Sequence, residues 1–150
     1  RVPIGYHNDP ERTARTFVEI DGMRWSLPGD MATIDADGTV HLLGRGSQCI
    51  NTGGEKVYPE EVEAVLKLDP AVEDAIVVGE ADERYGERVV AIVAPTGGRA
   101  APTLAQLQAR CRERLAGYKI PRALHLVTEV VRTPAGKADY AWARRVIETA

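Results

Sequence analysis

The chain has 150 residues, 44% of them hydrophobic, and a formal net charge of −3. That is enough apolar material for one ordinary core, or a core with an appendage, and it lacks the basic excess of a nucleic-acid binder. No apolar run approaches a membrane span, no signal-peptide pattern opens the chain, and no feature calls for a membrane surface, so a cytoplasmic setting is expected. Cys49 and Cys111 show neither CxxC nor Cys/His spacing, which argues against a disulfide framework or a zinc site. His7, His41 and His125 are scattered and read as structural or solvent-facing. The chain opens on "RVPIGYHN", without Met or leader, and reads as a truncated or processed fragment or a piece of something longer.

"NDPERTARTFV" predicts a short helix, with Asp9 as cap and Pro10 at the first helical position. "GMRWSLPGDMATIDADGTVHLLGR" predicts three strands, the last two joined by a hairpin at Asp37-Gly38. "GRGSQC", Gly44 to Cys49, has the composition of a flexible linker. The expected domains are therefore 1–46, a strand-rich edge of a larger domain, and 47–150. In the second, "CINTGGEKVY" predicts a small hairpin around Gly53-Gly54, with Cys49 on its first strand. "PEEVEAVLKL" predicts a helix that starts at Pro59 and buries Val62, Val65 and Leu66. "VEDAIVVGEA" and "ERVVAIVAP" predict two strands joined by the turn "DERYGE". Thr103 and Gln106 form a capping box for a helix with Leu104, Leu107, Cys111 and Leu115 on its apolar face, ended by Gly117. "ALHLVTEV" predicts a third strand, and "ADYAWARRVIET" a last helix with Ala143, Val146 and Ile147 on one side. That order predicts an α+β unit, helices packed on a small sheet.

Several residues could carry chemistry. Gly53-Gly54 is either a plain hairpin turn or a surface that a thin ligand approaches closely. Lys56, just beyond, is either solvated or a phosphate partner. Asp30, after Pro28-Gly29, is either a turn aspartate or an acceptor for ribose hydroxyls. Arg45 is a solvated linker charge or a planar donor to ribose or phosphate. Lys137 lies in "RTPAGKADY", a stiff, tight turn. It is either a surface lysine or an ammonium aimed at the developing negative charge of a phosphoryl or adenylyl transfer.

In order and spacing, "GYHNDPERTARTF…PGDMATIDADGTVHLLGR", "TGGEKVYPEEVE" and "TPAGKADY" resemble the adenylate-forming enzymes over essentially the whole chain. "GRGSQCINTGGEK" resembles in particular actinobacterial acyl-CoA ligases that act on long-chain or steroid side-chain acids. The resemblance implies a small, mobile C-terminal domain that rotates over a large N-terminal one between two half-reactions. The first makes an acyl-adenylate from a carboxylic acid, ATP and Mg2+; the second passes the acyl group to CoA. It implies that Asp30 and Arg45 bind the ATP/AMP ribose and that Ser47 stands at the hinge. Gly53 and Gly54 would line the CoA pantetheine tunnel, with Lys56 near CoA. Lys137 would bridge the carboxylate and the ATP phosphates. The hinge position is ordinarily Asp or Lys; Ser47, with Gly44 and Gly46 on either side of Arg45 just before it, predicts a looser hinge. The phosphate loop, the acid pocket and most Mg2+ ligands would lie in the N-terminal domain, so no synthetase activity is expected of this chain alone. Two rival readings are an adenylation domain that loads a carrier-protein phosphopantetheine and a non-catalytic module that docks CoA or a partner. "RRVIETA" reads as a chain end and the presence of Lys137 and Asp30 as catalytic, which favours the ligase.

Overall fold

Asp9 starts the first helix, α1 (Pro10–Thr16), by accepting a hydrogen bond from the Arg12 backbone N–H, with Pro10 in the first turn where its missing N–H costs nothing. The computed structural model describes residues 2–149. The helix stops two residues earlier than its pattern suggests. Phe17 is already extended, and Phe17–Ile20 forms β1, paired antiparallel with β2 (Met23–Ser26). The β-branched and aromatic residues of "TFVEI" follow strand propensity once they have a partner across the turn. β3 (Asp30–Ile34) and β4 (Val40–Arg45) form the expected hairpin, with the Asp35 N–H donating to the Thr39 carbonyl across Asp37-Gly38.

The expected linker is not one. Gly44 and Arg45 belong to β4, where they pair with Met31 and Asp30, and Gly46–Gln48 is a single tight helical turn. Local composition signalled flexibility, but strand pairing to residues thirteen and fifteen positions upstream decided the conformation. The chain divides into two compact units between Ser47 and Gln48.

The second unit is built on one five-stranded sheet. β5 (Ile50–Thr52) and β6 (Glu55–Val57) form the small hairpin, and Cys49 lies just before it rather than in it. β7 (Val72–Asp82) and β8 (Gly86–Pro95) form a long antiparallel pair, and β9 (Ala123–Leu126) runs parallel to β8. The strand order is β6-β5-β8-β7, with β9 also on β8. α2 (Pro59–Leu66) and α3 (Leu104–Arg112) contribute Val62, Val65, Leu66, Leu107 and Cys111 to one core, against Ala75, Val77, Val89, Ala91 and Val93. α4 (Tyr140–Glu148) packs through Ala143, Val146 and Ile147 on the opposite face, against Ile76, Val78, Val90 and Ile92. Successive residues of β7 and β8 therefore point into different cores, which is why both runs are uniformly apolar rather than alternating. Each fully buried Val, Ile or Leu contributes about 1.5–3 kcal/mol.

The capping box on α3 is present in both directions. Gly117 does not end that helix. α3 closes at Glu113, and Gly117 opens a separate short turn, Gly117–Lys119. β9 is also shorter than "ALHLVTEV": it pairs only with Val90–Val93 of β8 and ends at Leu126. The architecture is α+β, with helices on both faces of a small sheet. Among the described residues, no helix is long and apolar enough to cross a membrane.

Candidate active site

Lys137 sits at the end of a tight hairpin. The Gly136 N–H donates to the Thr133 carbonyl at 2.8 Å, the Thr133 N–H to the Lys137 carbonyl at 2.8 Å, and the Lys137 N–H to Thr133 Oγ1 at 3.2 Å. Pro134 fixes φ in the second position of the turn. Gly136 takes a φ of +75°, which an L side chain would resist. A bridge between Arg132 and Ala138 closes the neck. Lys137 is exposed, and among the described residues its ammonium enters no ion pair. A rigid backbone thus presents a positive charge that no carboxylate has claimed.

Gly53 and Gly54 close the β5–β6 hairpin with φ of +60° and +86°, the geometry of the primed two-residue turns. The Gly53 N–H donates to the Tyr85 carbonyl at 2.8 Å. A Cβ on Gly53 would lie 3.3 Å from the Tyr85 ring, while one on Gly54 would meet nothing within 4 Å. The Tyr85 ring carries two guanidinium groups, Arg122 at 4.6 Å and Arg84 at 5.2 Å from its centroid. Lys56 is exposed on β6, opposite Asn51. The result is a side-chain-free turn beside an aromatic plane with a concentration of positive charge. Tyr85, Arg84 and Arg122 escaped the sequence reading. The signal available was an aromatic preceded by an arginine in "DERYGE", but Arg122 joins it only through the parallel β8–β9 pairing.

These two features occupy opposite ends of one hairpin. The Lys137 loop is tied to Asp74 near the start of β7 through Arg132, and the Gly53 turn meets Tyr85 just beyond its end at Asp82. The strand between spans about 26 Å.

In the first unit, Asp30 and Arg45 are register partners, and Arg45 Nε donates to Asp30 Oδ1 at 3.3 Å. Both side chains remain substantially exposed. Ser47 lies in the short turn Gly46–Gln48, the last residue of that unit.

A family model of the AMP-binding enzyme C-terminal domain matches residues 61–137, ending on the hairpin lysine. The chain belongs to that family. This AMP-binding C-terminal domain chain is 56% identical, over 98% of its length, to a medium/long-chain-fatty-acid–CoA/3-oxocholest-4-en-26-oate–CoA ligase of Mycolicibacterium smegmatis, 26% of which it covers. It is 57% identical over 95% of its length to a 3-oxocholest-4-en-26-oate–CoA ligase of Rhodococcus rhodochrous, again covering 26% of that protein. The chain thus spans about a quarter of the length of these relatives. Among solved structures, the amide bond synthetase McbA from Marinactinospora thermotolerans superposes with a TM-score of 0.80 at 38% identity, over 95% of this chain and 28% of that one.

The AMP-binding C-terminal domain also buries a polar group that sequence reading passed over. Glu63, on α2, accepts from the Val77 N–H at 2.9 Å and from the Tyr140 hydroxyl at 3.4 Å. Burial pushes its carboxyl above the usual range despite the Val77 bond. Burial, and then the negative charge of Glu63, push the Tyr140 phenol up. The pair ties α4, which follows the Lys137 loop, to α2 and β7. Among the described residues, no group of three His, Cys, Asp or Glu side chains is placed to hold a metal ion.

Proposed function

We propose that this chain is the C-terminal part of an acyl-CoA ligase, comprising the edge of the large AMP-binding domain (1–46) and the small C-terminal domain (47–150). Its acid is a medium- or long-chain fatty acid or a steroid side-chain acid, the classes in the names of its relatives. The observation that carries the reading is the exposed Lys137 on a pinned hairpin, at the end of the matched segment. In the first step a carboxylate oxygen attacks the α-phosphorus of ATP, and the bond to pyrophosphate breaks. The Lys137 ammonium holds the carboxylate and the phosphates in line and offsets the charge that develops on the oxygens. Asp30 and Arg45 bind the ribose. Mg2+ arrives with the nucleotide, and no step depends on a metal held by these residues.

In the second step the CoA sulfur attacks the acyl carbonyl, the bond to AMP breaks, and the thiol proton leaves to solvent. Pantetheine passes over Gly53 and Gly54, where no Cβ obstructs it. Arg84 and Arg122 on Tyr85, with Lys56 nearby, suit the phosphates and the adenine ring of CoA. The separation of the two ends along β7 supports a domain that presents one end for each step, turning about Ser47.

The test is acid-dependent ATP–pyrophosphate exchange by the full-length protein, with a panel of carboxylic acids. Lys137→Ala should lower exchange by about 100-fold or more, while thioester formation from a supplied acyl-adenylate stays within a few-fold of wild type. Equal loss in both steps would sink the proposal, as would exchange that persists in the variant.

A further inference from the structure

Resting on the reading of Lys137 as the adenylation lysine, we propose that Arg132 is a positioning residue for it, clamped by Asp74. Arg132 Nε donates to Asp74 Oδ2 at 2.8 Å and Nη2 to Asp74 Oδ1 at 2.6 Å, the parallel fork that fixes both groups in one plane. The remaining arm, Nη1, donates to the Gly136 carbonyl at 3.4 Å, one residue before Lys137. One guanidinium therefore ties the wall of the sheet to the tip of the lysine hairpin.

Asp74 is itself held in place. The register of β7 against β8 slips between Val72 and Asp74, so that an extra residue bulges there. Bulges re-aim side chains. The Asp74 carboxylate also accepts from the Ala75 N–H at 2.8 Å and faces the Lys67 ammonium at 3.4 Å. The hairpin needs such an anchor because most of its residues are exposed, whereas Val130 before it is buried in the second core. A lysine at position 132 would keep the charge but could not make the fork and the third bond together. The clamp is therefore a device of geometry: it fixes where the Lys137 backbone stands.

The experiment uses the full-length enzyme and compares Arg132→Lys, Arg132→Ala and Asp74→Asn with Lys137→Ala. Both Arg132 variants should lower kcat for acid-dependent ATP–pyrophosphate exchange by about 10- to 100-fold, the size of effect expected when a reacting group is displaced by about 1 Å. KM for ATP, and the rate of thioester formation from supplied acyl-adenylate, should stay within about twofold. Asp74→Asn should shift exchange in the same direction and by less, since the amide keeps one acceptor oxygen. The thioester step doubles as the test of intact folding; if Arg132→Ala does not fold, Arg132→Lys carries the comparison. Equal loss in both steps would show a mere structural staple and overturn the proposal. Full exchange in Arg132→Lys would show that charge alone matters and would overturn it too. If Lys137→Ala loses exchange and the Arg132 variants do not, only the positioning role fails; if Lys137→Ala retains exchange, the reading of the lysine fails first.

Discussion

The hairpins β3–β4 and β7–β8 are both antiparallel pairs closed by short turns, yet their side chains meet different surroundings. Ile34 and Leu42 of the first are each 72% exposed, whereas Ile76, Val90 and Ile92 of the second are fully buried. Both satisfy their backbone ladders, so hydrogen bonding does not distinguish them. What differs is the cover: α2 and α3 lie on one face of the second hairpin and α4 on the other, while β3–β4 forms a two-stranded sheet by itself. A sheet draws its stability from what packs on its faces, and an isolated two-stranded hairpin is marginal in water.

Substitutions should break or sharpen that contrast. The largest stability effect is expected at the buried centre. Ile92→Ala should cost about 2–5 kcal/mol in the thermal or urea unfolding of this chain, while Ile34→Ala stays within about 0.5 kcal/mol. A sharper form repeats Ile34→Ala in the full-length protein, where a cost in the core range would show that the remainder of the chain covers β3–β4. Next in size, Gly53→Ala should cost about 1–2 kcal/mol through its positive φ and the contact with Tyr85. Gly54→Ala, in open space, should cost less, and calorimetry of the two variants ranks them.

The third effect is one of sign. Glu63 has its carboxyl raised by burial, so its contribution to stability is fully present below the unfolded-state value and is lost as pH rises through the raised folded-state value. Asp74 behaves oppositely. Burial raises its carboxyl, but the Arg132 hydrogen bond, the Ala75 amide and the Lys67 charge outweigh that and hold it below the usual range, so its contribution fades as pH falls through that lowered value. Wild type minus Glu63→Gln stability, measured across acid to neutral pH, should therefore decline with rising pH; a flat difference would remove Glu63 as a titrating group. The smallest stability effect is expected at the exposed pair. Asp30→Ala should change unfolding by less than about 0.5 kcal/mol, yet raise KM for ATP in the full-length enzyme, which separates a binding role from a structural one.

Much of this was legible because the deciding interactions are local. Asp9 and Pro10 at α1, Asp37-Gly38 between β3 and β4, and the Thr103–Gln106 box on α3 each act within a few residues. The misread segments are those settled at a distance. Gly44 and Arg45 read as linker because their strand partners, Met31 and Asp30, lie in an earlier segment. β9 read as too long because its bounds are set by pairing with Val90–Val93 of β8, far upstream. For the candidate site, Lys137 and the Gly53-Gly54 turn were visible as motifs. Their supports were not: Arg132 with Asp74, Tyr140 with Glu63, and Arg122 over Tyr85 pair residues 37 to 77 positions apart.

Those long pairings also bear on how the second unit is assembled. Glu61, Glu63, Asp69 and Asp74 all lie early in it, and their partners Lys119, Tyr140, Arg110 and Arg132 all lie late. The β7–β8 hairpin closes a short loop and can form as soon as its residues emerge from the ribosome, but α3, β9 and α4 must arrive before its two apolar faces are shielded. Contacts of such sequence separation slow folding, because the loop entropy is lost before the contact is gained. A nascent chain halted before Arg132 would have α2 and α3 on one face of the hairpin but would leave the face that α4 covers bare and adhesive, so the segment that delivers the lysine is also the one that completes the fold.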